Sequence, residues 1–224
     1  LDSERLAAAD GLALIGVRSG AVAAALAAAV RRGPSDVSAA AARAIGVVAP
    51  PVDGEPESHA IAQTLEDALA FEPVVAVAAA QALAALGDEA SLRRGLTHEQ
   101  VSARIASAAA LASVTLSPET AACVAERVTG ETEPVEQVRA ALVRLAAQAG
   151  DAAVLTQLLE GDSSSLVRTA AADAIGSFGD SALAPALAAA LGDSEERVRE
   201  AAQSGLLRLN VSLDGPALFL ASAV

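Results

Sequence analysis

The residues able to do chemistry are few and far apart. His98 and Glu99 begin the H-E-x-x-H pattern with which a helix binds zinc, but Ser102 stands where the second histidine would be. His59 has no cysteine or histidine at ligand spacing, and Cys123 lies among alanine and valine, which predicts a buried free thiol. The chain has no lysine and so lacks the Gly-Lys of a phosphate-binding loop. We therefore expect no catalytic residue, no metal site, no cofactor and no enzyme activity.

The charge and composition exclude several classes of protein. Fifteen basic residues stand against 28 acidic ones, a net charge of −13, which argues against a nucleic-acid partner because phosphate binding needs a basic face. One cysteine cannot build a disulfide framework and indicates either a reducing compartment or indifference to redox conditions. We expect a cytoplasmic location. The most apolar windows, 20–30 and 73–87, are shorter than the roughly 18 residues of a membrane span.

One pattern of apolar residues recurs along the chain. Counted from an anchor residue at position 0, apolar residues return at positions 3, 4, 7, 8 and 11, the spacing of one face of a helix. The anchors lie 28 to 38 residues apart, which suits units of two helices with variable loops; they are Val37, Val75, Ala103, Val138, Val167 and Val198. Asp162 and Asp193 precede the two clearest copies at the place of a helix N-cap.

The two clearest copies carry a further motif. Asp162 and Arg168, and likewise Asp193 and Arg199, form a D-x5-R pattern followed by A-A and, in the first copy, by A-I-G. This pattern resembles the HEAT repeat, in particular the short bacterial variety of phycobilisome-lyase-like proteins. The resemblance implies that these Asp and Arg side chains form a hydrogen-bonded ladder between neighbouring repeats, with Glu133 and Arg139 as a conservative variant. Two central units depart from it; their ladder positions hold Ala70 and Ala76, and His98 and Arg104.

These observations predict the architecture. Each helix pair exposes an apolar face that it cannot bury alone, so the pairs must stack. We expect an all-α fold, a right-handed α-solenoid of about six or seven HEAT-like helix pairs that forms a single domain over residues 1–224. The proline-rich stretch 49–58 is predicted to be an irregular insertion, and 211–224 a capping helix or a truncated repeat.

The second helix of each unit offers a candidate binding surface opposite the apolar stripe, at positions −2, 2, 5 and 6. In the last three units this surface is polar and mainly acidic, comprising Glu136, Arg144, Ser165, Thr169, Asp173, Glu196, Glu200, Gln203 and Ser204. In the two central units it is apolar, comprising Pro73, Val77, Ala80, Gln81, Val101, Ile105, Ala108 and Ala109. A contiguous apolar patch marks a partner or subunit contact. The alternative is that irregular loops cover these helices, or that the helical register differs by one residue.

Three functions from different classes can be weighed for a chain of this kind. The first, which we favour, is a non-catalytic scaffold or adaptor that binds another protein, or a further copy of itself, on its solenoid face. The second is a bilin lyase-like factor that attaches or detaches a chromophore, although a groove for a bilin would be expected to need aromatic residues, and only 1% of the chain is aromatic. The third, a DNA-repair solenoid, would need a basic groove and aromatic stacking residues, and the sequence lacks both.

Overall fold

The computed structural model describes residues 2–16, 18–49, 56–129 and 131–210. In these ranges the chain forms thirteen α-helices and one short 3₁₀ helix, with no strand. It divides into two compact units, residues 1–115 (unit 1) and residues 116–224 (unit 2). The helices of unit 1 are α1 (Asp2–Ile15), α2 (Gly20–Arg32), α3 (Ser35–Val48), α4 (Pro56–Ala68), α5 (Pro73–Ala85), α6 (Glu89–Gly95) and α7 (Val101–Leu111). Those of unit 2 are α8 (Pro118–Arg127), α9 (Glu136–Gln148), α10 (Ala152–Gly161), α11 (Ser165–Phe178), α12 (Ala184–Ala190) and α13 (Glu196–Arg208).

The helices alternate between two layers within each unit. In unit 1 the B helices α1, α3, α5 and α7 pack side by side in chain order, and the A helices α2, α4 and α6 form the second layer. In unit 2 the B helices are α9, α11 and α13, and the A helices α8, α10 and α12 each pack on the B helix that follows them. The described residues thus contain six A–B pairs, with α1 added as a further B helix. The predicted all-α stack of helix pairs is confirmed, whereas the right-handed sense and the single domain stay predictions.

The repeating apolar stripe is the buried face of each B helix. In α5 the residues at positions 0, 3, 4, 7 and 8 are at most 2% exposed; these are Val75, Ala78, Ala79, Ala82 and Leu83. The same positions of α3 are also buried. A helix of this length is only marginally stable by itself in water, and burial of its apolar face stabilises it. The helical register taken from the sequence is therefore correct.

Glycine allows two pairs of B helices to approach closely. A Cβ atom built on Gly176 of α11 would lie 2.5 Å from the Cα atom of Gly205 on α13, and one on Gly46 of α3 would lie 3.1 Å from the Cα atom of Ala82 on α5. Real Cβ atoms do not come within 2.5 Å of a backbone atom, so no other residue type fits at Gly176 without moving the helices apart, whereas the distance at Gly46 is tight but does occur.

The predicted N-cap role of Asp162 and Asp193 is wrong in detail. The capping positions of α11 and α13 are Ser164 and Glu195, two residues later. Oδ1 of Asp162 accepts the backbone N–H of Ser164 at 2.8 Å, and Oδ1 of Asp193 that of Glu195 at 2.9 Å. Each aspartate thus closes an Asx turn that leads into the helix, because its carboxylate bonds the chain two residues ahead.

The two irregular segments are described only in part. Ala49 is the C-cap of α3, and α4 begins at Pro56. Residues 50–55 of the predicted insertion and the predicted tail 211–224 lie outside the described ranges. None of the helices that the structure describes is both long and apolar enough to cross a membrane.

Candidate binding grooves between the B helices

The outward positions of the B helices differ in part from those predicted. Positions 2 and 6 reach the surface in α5, where Val77 and Gln81 are exposed. Position 5 was predicted to be exposed as well, yet Ala80 and Ala108 are 0% and 1% exposed. The reason is that a B helix packs on its neighbours within the layer as well as on its A helix, so its flanks are also buried. The candidate surface is therefore narrower than expected.

A first groove lies between α5 and α7 in unit 1. Its volume is about 420 Å³, and none of its lining residues is charged. It is lined by Val77, Gln81, Ala84, Ala85, Ala106, Ala109, Ala110, Ser113 and Val114. Two residues predicted to share this surface stand apart from the groove: Val101 is exposed in the first turn of α7, and Ile105 is half-buried. The apolar patch thus centres on Val77 and the small residues facing it.

A second groove lies between α9 and α11 in unit 2. Its volume is about 650 Å³, and it is lined by Ala140, Arg144, Ala147, Gln148, Ala170, Asp173, Ala174, Ser177 and Phe178. Asp173 also forms an ion pair with Arg208 of α13 at 3.7 Å, in which both side chains are about half exposed. This groove therefore combines alanine, one aromatic ring and two opposite charges.

The remaining predicted surface residues of unit 2 lie beside this groove rather than in it. The Glu136 carboxylate accepts a hydrogen bond from the Ser164 hydroxyl across the α9–α11 contact. Thr169 is half-buried on α11, and Glu200 and Gln203 are exposed on α13. The structure brings Arg144 and Asp173 together and leaves the other seven predicted surface residues outside the lining.

The two grooves occupy the same positions of the repeat. Each is formed by positions 2, 6, 9 and 10 of one B helix and positions 3, 6, 7, 10 and 11 of the next. Sequence reasoning missed position 9, which lines each groove on the first of its two helices and holds alanine there (Ala84 of α5 and Ala147 of α9). In α3 and α11, which closely approach the B helix that follows, the same position holds glycine (Gly46 and Gly176). Because a methyl group holds neighbouring helices apart and its absence lets them touch, the residue at position 9 is the signal that could have located the grooves.

The ladder residues join successive repeats in unit 2. Nε and Nη2 of Arg139 donate to Oδ2 and Oδ1 of Asp162 at 2.9 and 2.8 Å, and the two side chains are 5% and 4% exposed. Nε and Nη2 of Arg168 donate in the same way to Asp193 at 2.8 and 2.9 Å. Such bidentate, charge-assisted pairs are among the stronger hydrogen bonds in proteins. The ladder arginine of one repeat therefore bonds the aspartate that starts the next.

The third nitrogen of each ladder arginine holds the loop before its own helix. Nη1 of Arg139 donates to the carbonyl oxygens of Glu133 and Pro134, and Nη1 of Arg168 to those of Asp162 and Ser163. Arg104, in a unit that departs from the motif, makes the same contact with the carbonyl oxygens of its two loop residues, at 2.8 and 2.9 Å. Glu133 is fully buried, and its carboxylate accepts the backbone N–H of Val135 and lies 3.6 Å from Arg127.

The ladder carboxylates have lowered pKa values. Burial disfavours the charged form of Asp162, but hydrogen bonds from Arg139 and Ser164 outweigh it and hold its pKa below the usual value. The hydrogen bond from Arg168 lowers the pKa of Asp193 against a smaller effect of burial. In the A layer of unit 1, a pair that the sequence did not suggest has the same effect: Arg94 donates to Glu66 at 2.7 and 2.6 Å and lowers its pKa.

Acid is therefore expected to destabilise the chain. A carboxylate with a lowered pKa stabilises the fold fully above its unfolded-state value, about 3.9 for Asp and 4.3 for Glu, and this stabilisation is lost as the pH falls through the folded-state value. We expect the urea midpoint to hold from pH 7 to about pH 5 and to fall between pH 5 and pH 3. The urea midpoint of Asp162→Asn should fall less steeply over the same pH range. An identical pH dependence of variant and wild type would contradict the lowered pKa of Asp162.

The chemistry-bearing residues are not brought together. In the part of the chain that the structure describes, no group of three or more His, Cys, Asp or Glu side chains could hold a metal ion. Cys123 is half-buried rather than buried as predicted. The difference arises because it lies on the flank of α8, one residue before the fully buried Val124.

Several solved structures are similar to this chain in the course of the backbone. An engineered protein of known crystal structure is 21% identical with a TM-score of 0.50, and the alignment covers 84% of this chain and 96% of that one. A designed armadillo repeat protein in complex with the peptide (KR)4 is 18% identical, covering 83% and 98%, with a TM-score of 0.49. Human deoxyhypusine hydroxylase in complex with glycerol is 20% identical, covering 93% and 80%, with a TM-score of 0.47.

The sequence itself is similar to one family. No curated protein matches it. The family model of HEAT repeats matches residues 131–206, which run from just before α9 to near the end of α13. This stretch contains both bidentate ladder pairs and the larger groove. Residues 131–206 are therefore similar to HEAT repeats.

Proposed function

We propose that the chain is a non-catalytic scaffold that binds a partner protein through the grooves between its B helices. The observation that carries the proposal is that the two grooves recur at identical positions of the repeat, one in each unit. Repeat arrays commonly use a surface formed by equivalent positions of successive repeats to bind extended partners. A groove that recurs with the same geometry but different side chains suits recognition of a partner, because each repeat can contact a different part of it.

The groove of unit 1 suits an apolar segment of a partner. Its lining is uncharged and composed largely of alanine and valine, so a side chain that enters it loses water without leaving a charge unpaired. Val77 is 45% exposed at the rim and is the largest aliphatic side chain on the α5 wall. Covering one such side chain contributes roughly 1.5–3 kcal/mol at most, and about half of that remains available at Val77.

A charge at the rim should weaken this contact. We expect Val77→Asp to reduce the affinity for the partner by at least about tenfold, because the new carboxylate would have to lose its water against an apolar segment. Val74→Asp is the matched control, since Val74 is 51% exposed on the same helix and lies outside the lining. The partner is first identified by affinity capture from the native host with the full chain, and binding of the purified partner to wild type and both variants is then measured by calorimetry.

The two variants and the salt dependence distinguish binding in the groove of unit 1 from binding elsewhere on the chain. Weakened binding by Val77→Asp with unchanged binding by Val74→Asp supports the proposal. Equal binding of the wild type and both folded variants would overturn the groove of unit 1 as the contact. Binding through this groove should persist or strengthen at high salt, whereas a contact with the acidic side chains of unit 2 should weaken. Transfer of a bilin to or from the captured partner would replace the scaffold by the lyase-like alternative.

A further inference from the structure

The groove between α9 and α11 carries an unmatched positive charge. Two charged side chains line it, Arg144 on α9 and Asp173 on α11. Asp173 is paired with Arg208 of α13, whose Nη1 also donates to the Asp173 carbonyl oxygen at 3.5 Å and to the Ser177 hydroxyl oxygen at 3.4 Å. Arg144 is exposed, and among the residues that the structure describes it has no hydrogen bond or ion pair. The negative charge in the lining is thus already matched, and the guanidinium of Arg144 is not.

Arg144 differs in this respect from the ladder arginines of unit 2. Each ladder arginine donates through Nη1 to carbonyl oxygens of the loop before its own helix; these are Arg139, Arg168 and Arg199. Arg144 holds no part of the chain in place and instead lines the groove. The ligand that best matches a guanidinium is a carboxylate, which it binds through two parallel N–H groups.

An aromatic ring lies further along the same groove. Phe178, at position 11 of α11, is 37% exposed in the lining, and small side chains such as Ala147 and Ala174 lie between it and Arg144. Equivalent positions of α9 and α11 face each other across the groove, and a helix rises 1.5 Å per residue. The five positions that separate Arg144 from Phe178 therefore correspond to about 7 to 8 Å along the groove.

This spacing matches the repeat of an extended peptide. Side chains two residues apart in an extended chain lie on the same face, about 7 Å from each other. The lining runs from position 2 to position 11, about 14 Å, which gives room for about four extended residues. A peptide that lies along the groove can thus place a carboxylate at Arg144 and, two residues away, an apolar side chain against Phe178.

We propose that the groove of unit 2 binds an extended segment of a partner protein in which Glu or Asp stands two residues from a large apolar side chain. The proposal rests on the function proposed above for the grooves and specifies what one of them recognises. Arg144 binds the carboxylate, while Phe178 and the alanine side chains cover the apolar side chain. A basic segment fits less well, because it would meet Arg144 and would compete with Arg208 for Asp173.

The test presupposes no partner. Random peptides of about nine residues are displayed on phage and selected on the full chain, and we expect the selected sequences to share an acidic residue two positions from Leu, Ile, Phe or Trp. Binding of a labelled synthetic copy is then measured by fluorescence anisotropy. Arg144→Ala should weaken it about tenfold or more through loss of the charged hydrogen bonds, and Arg144→Lys should restore only part of the affinity.

The chain offers a matched control and a charge exchange. Arg43→Ala removes an exposed arginine at the same repeat position of α3, in unit 1, and should bind the peptide as wild type does. Because Arg144 is exposed and unpaired, its replacement should leave the fold unchanged. Arg144→Glu should lose the selected peptide but bind a copy in which Lys replaces the acidic residue better than wild type does.

The outcomes separate this inference from the function on which it rests. Selection of basic peptides, selection of none, or equal binding by wild type and Arg144→Ala would overturn the acidic specificity of the groove of unit 2. If Val77→Asp weakens binding of the selected peptide and Arg144→Ala does not, the peptide binds in the groove of unit 1. In that case the proposed function stands and only this inference fails.

Discussion

Arg139→Ala is expected to lower the free energy of unfolding by about 3–5 kcal/mol, the usual result of removing one partner from a buried ion pair. The carboxylate of Asp162 would remain almost fully buried, with only the Ser164 N–H and the more distant Arg168 nearby. The lost contacts also include two hydrogen bonds to the loop that precedes α9. The change should appear as a lower urea midpoint and as faster amide exchange in α9 and α11.

Two further variants test whether the loss of stability comes from the buried Arg139–Asp162 pair. Arg5→Ala removes an arginine from an exposed pair with Asp2, in which both side chains are about 60% exposed, and should change stability by less than about 1 kcal/mol. The double variant Arg139→Ala, Asp162→Ala should be more stable than Arg139→Ala alone, because no unpaired carboxylate is left buried. A double variant as unstable as the sum of its single changes would show that the two side chains do not act as a pair.

Gly176→Ala is expected to cost about 1–3 kcal/mol, although alanine is the better helix former by about 1 kcal/mol. The added methyl group would lie 2.5 Å from the Cα atom of Gly205, so α11 and α13 would have to separate. Separation would strain the Arg168–Asp193 hydrogen bonds, which join the same two repeats. Thermal unfolding followed by circular dichroism measures the cost.

The control for this substitution is another helical glycine. A Cβ atom on Gly11, inside α1, would meet no atom within 4 Å, so Gly11→Ala should stabilise the chain by up to about 1 kcal/mol. Opposite signs for the same chemical change would show that close helix approach, and not helix propensity, makes position 9 of α11 a glycine. Stabilisation by Gly176→Ala would contradict the close contact of α11 and α13.

The ladder and the grooves are formed by different residues of the same repeat. The ladder lies at the N-terminal ends of the B helices and ties each repeat to the next through buried charge. The grooves lie along the outer face, where alanine at position 9 replaces glycine. Because the two features use separate residues, a groove can vary in side-chain chemistry without loss of the contacts that hold neighbouring repeats together.

The sequence by itself determined the helical repeat and its register. The stripe at positions 0, 3, 4, 7, 8 and 11 depends only on the 3.6-residue period of a helix, and the buried residues of α3 and α5 follow it. The D-x5-R spacing likewise marked the residues that lie between repeats in unit 2. These are local properties, which the order of residue types within one helix or one turn is sufficient to specify.

Only the tertiary structure decided which flank of a B helix is covered and where two of them stand apart. Ala80 reads as an outward residue in the sequence and is buried because a neighbouring B helix covers it; Val77, three residues earlier, stays exposed. The closed contact at Gly176 and the groove beside Ala147 differ by one methyl group, whose effect depends on the helix opposite it. The periodic apolar pattern specifies which face of a helix packs on its paired helix. The distance between successive pairs depends on contacts between residues some thirty positions apart in the chain, and no local spacing specifies that distance.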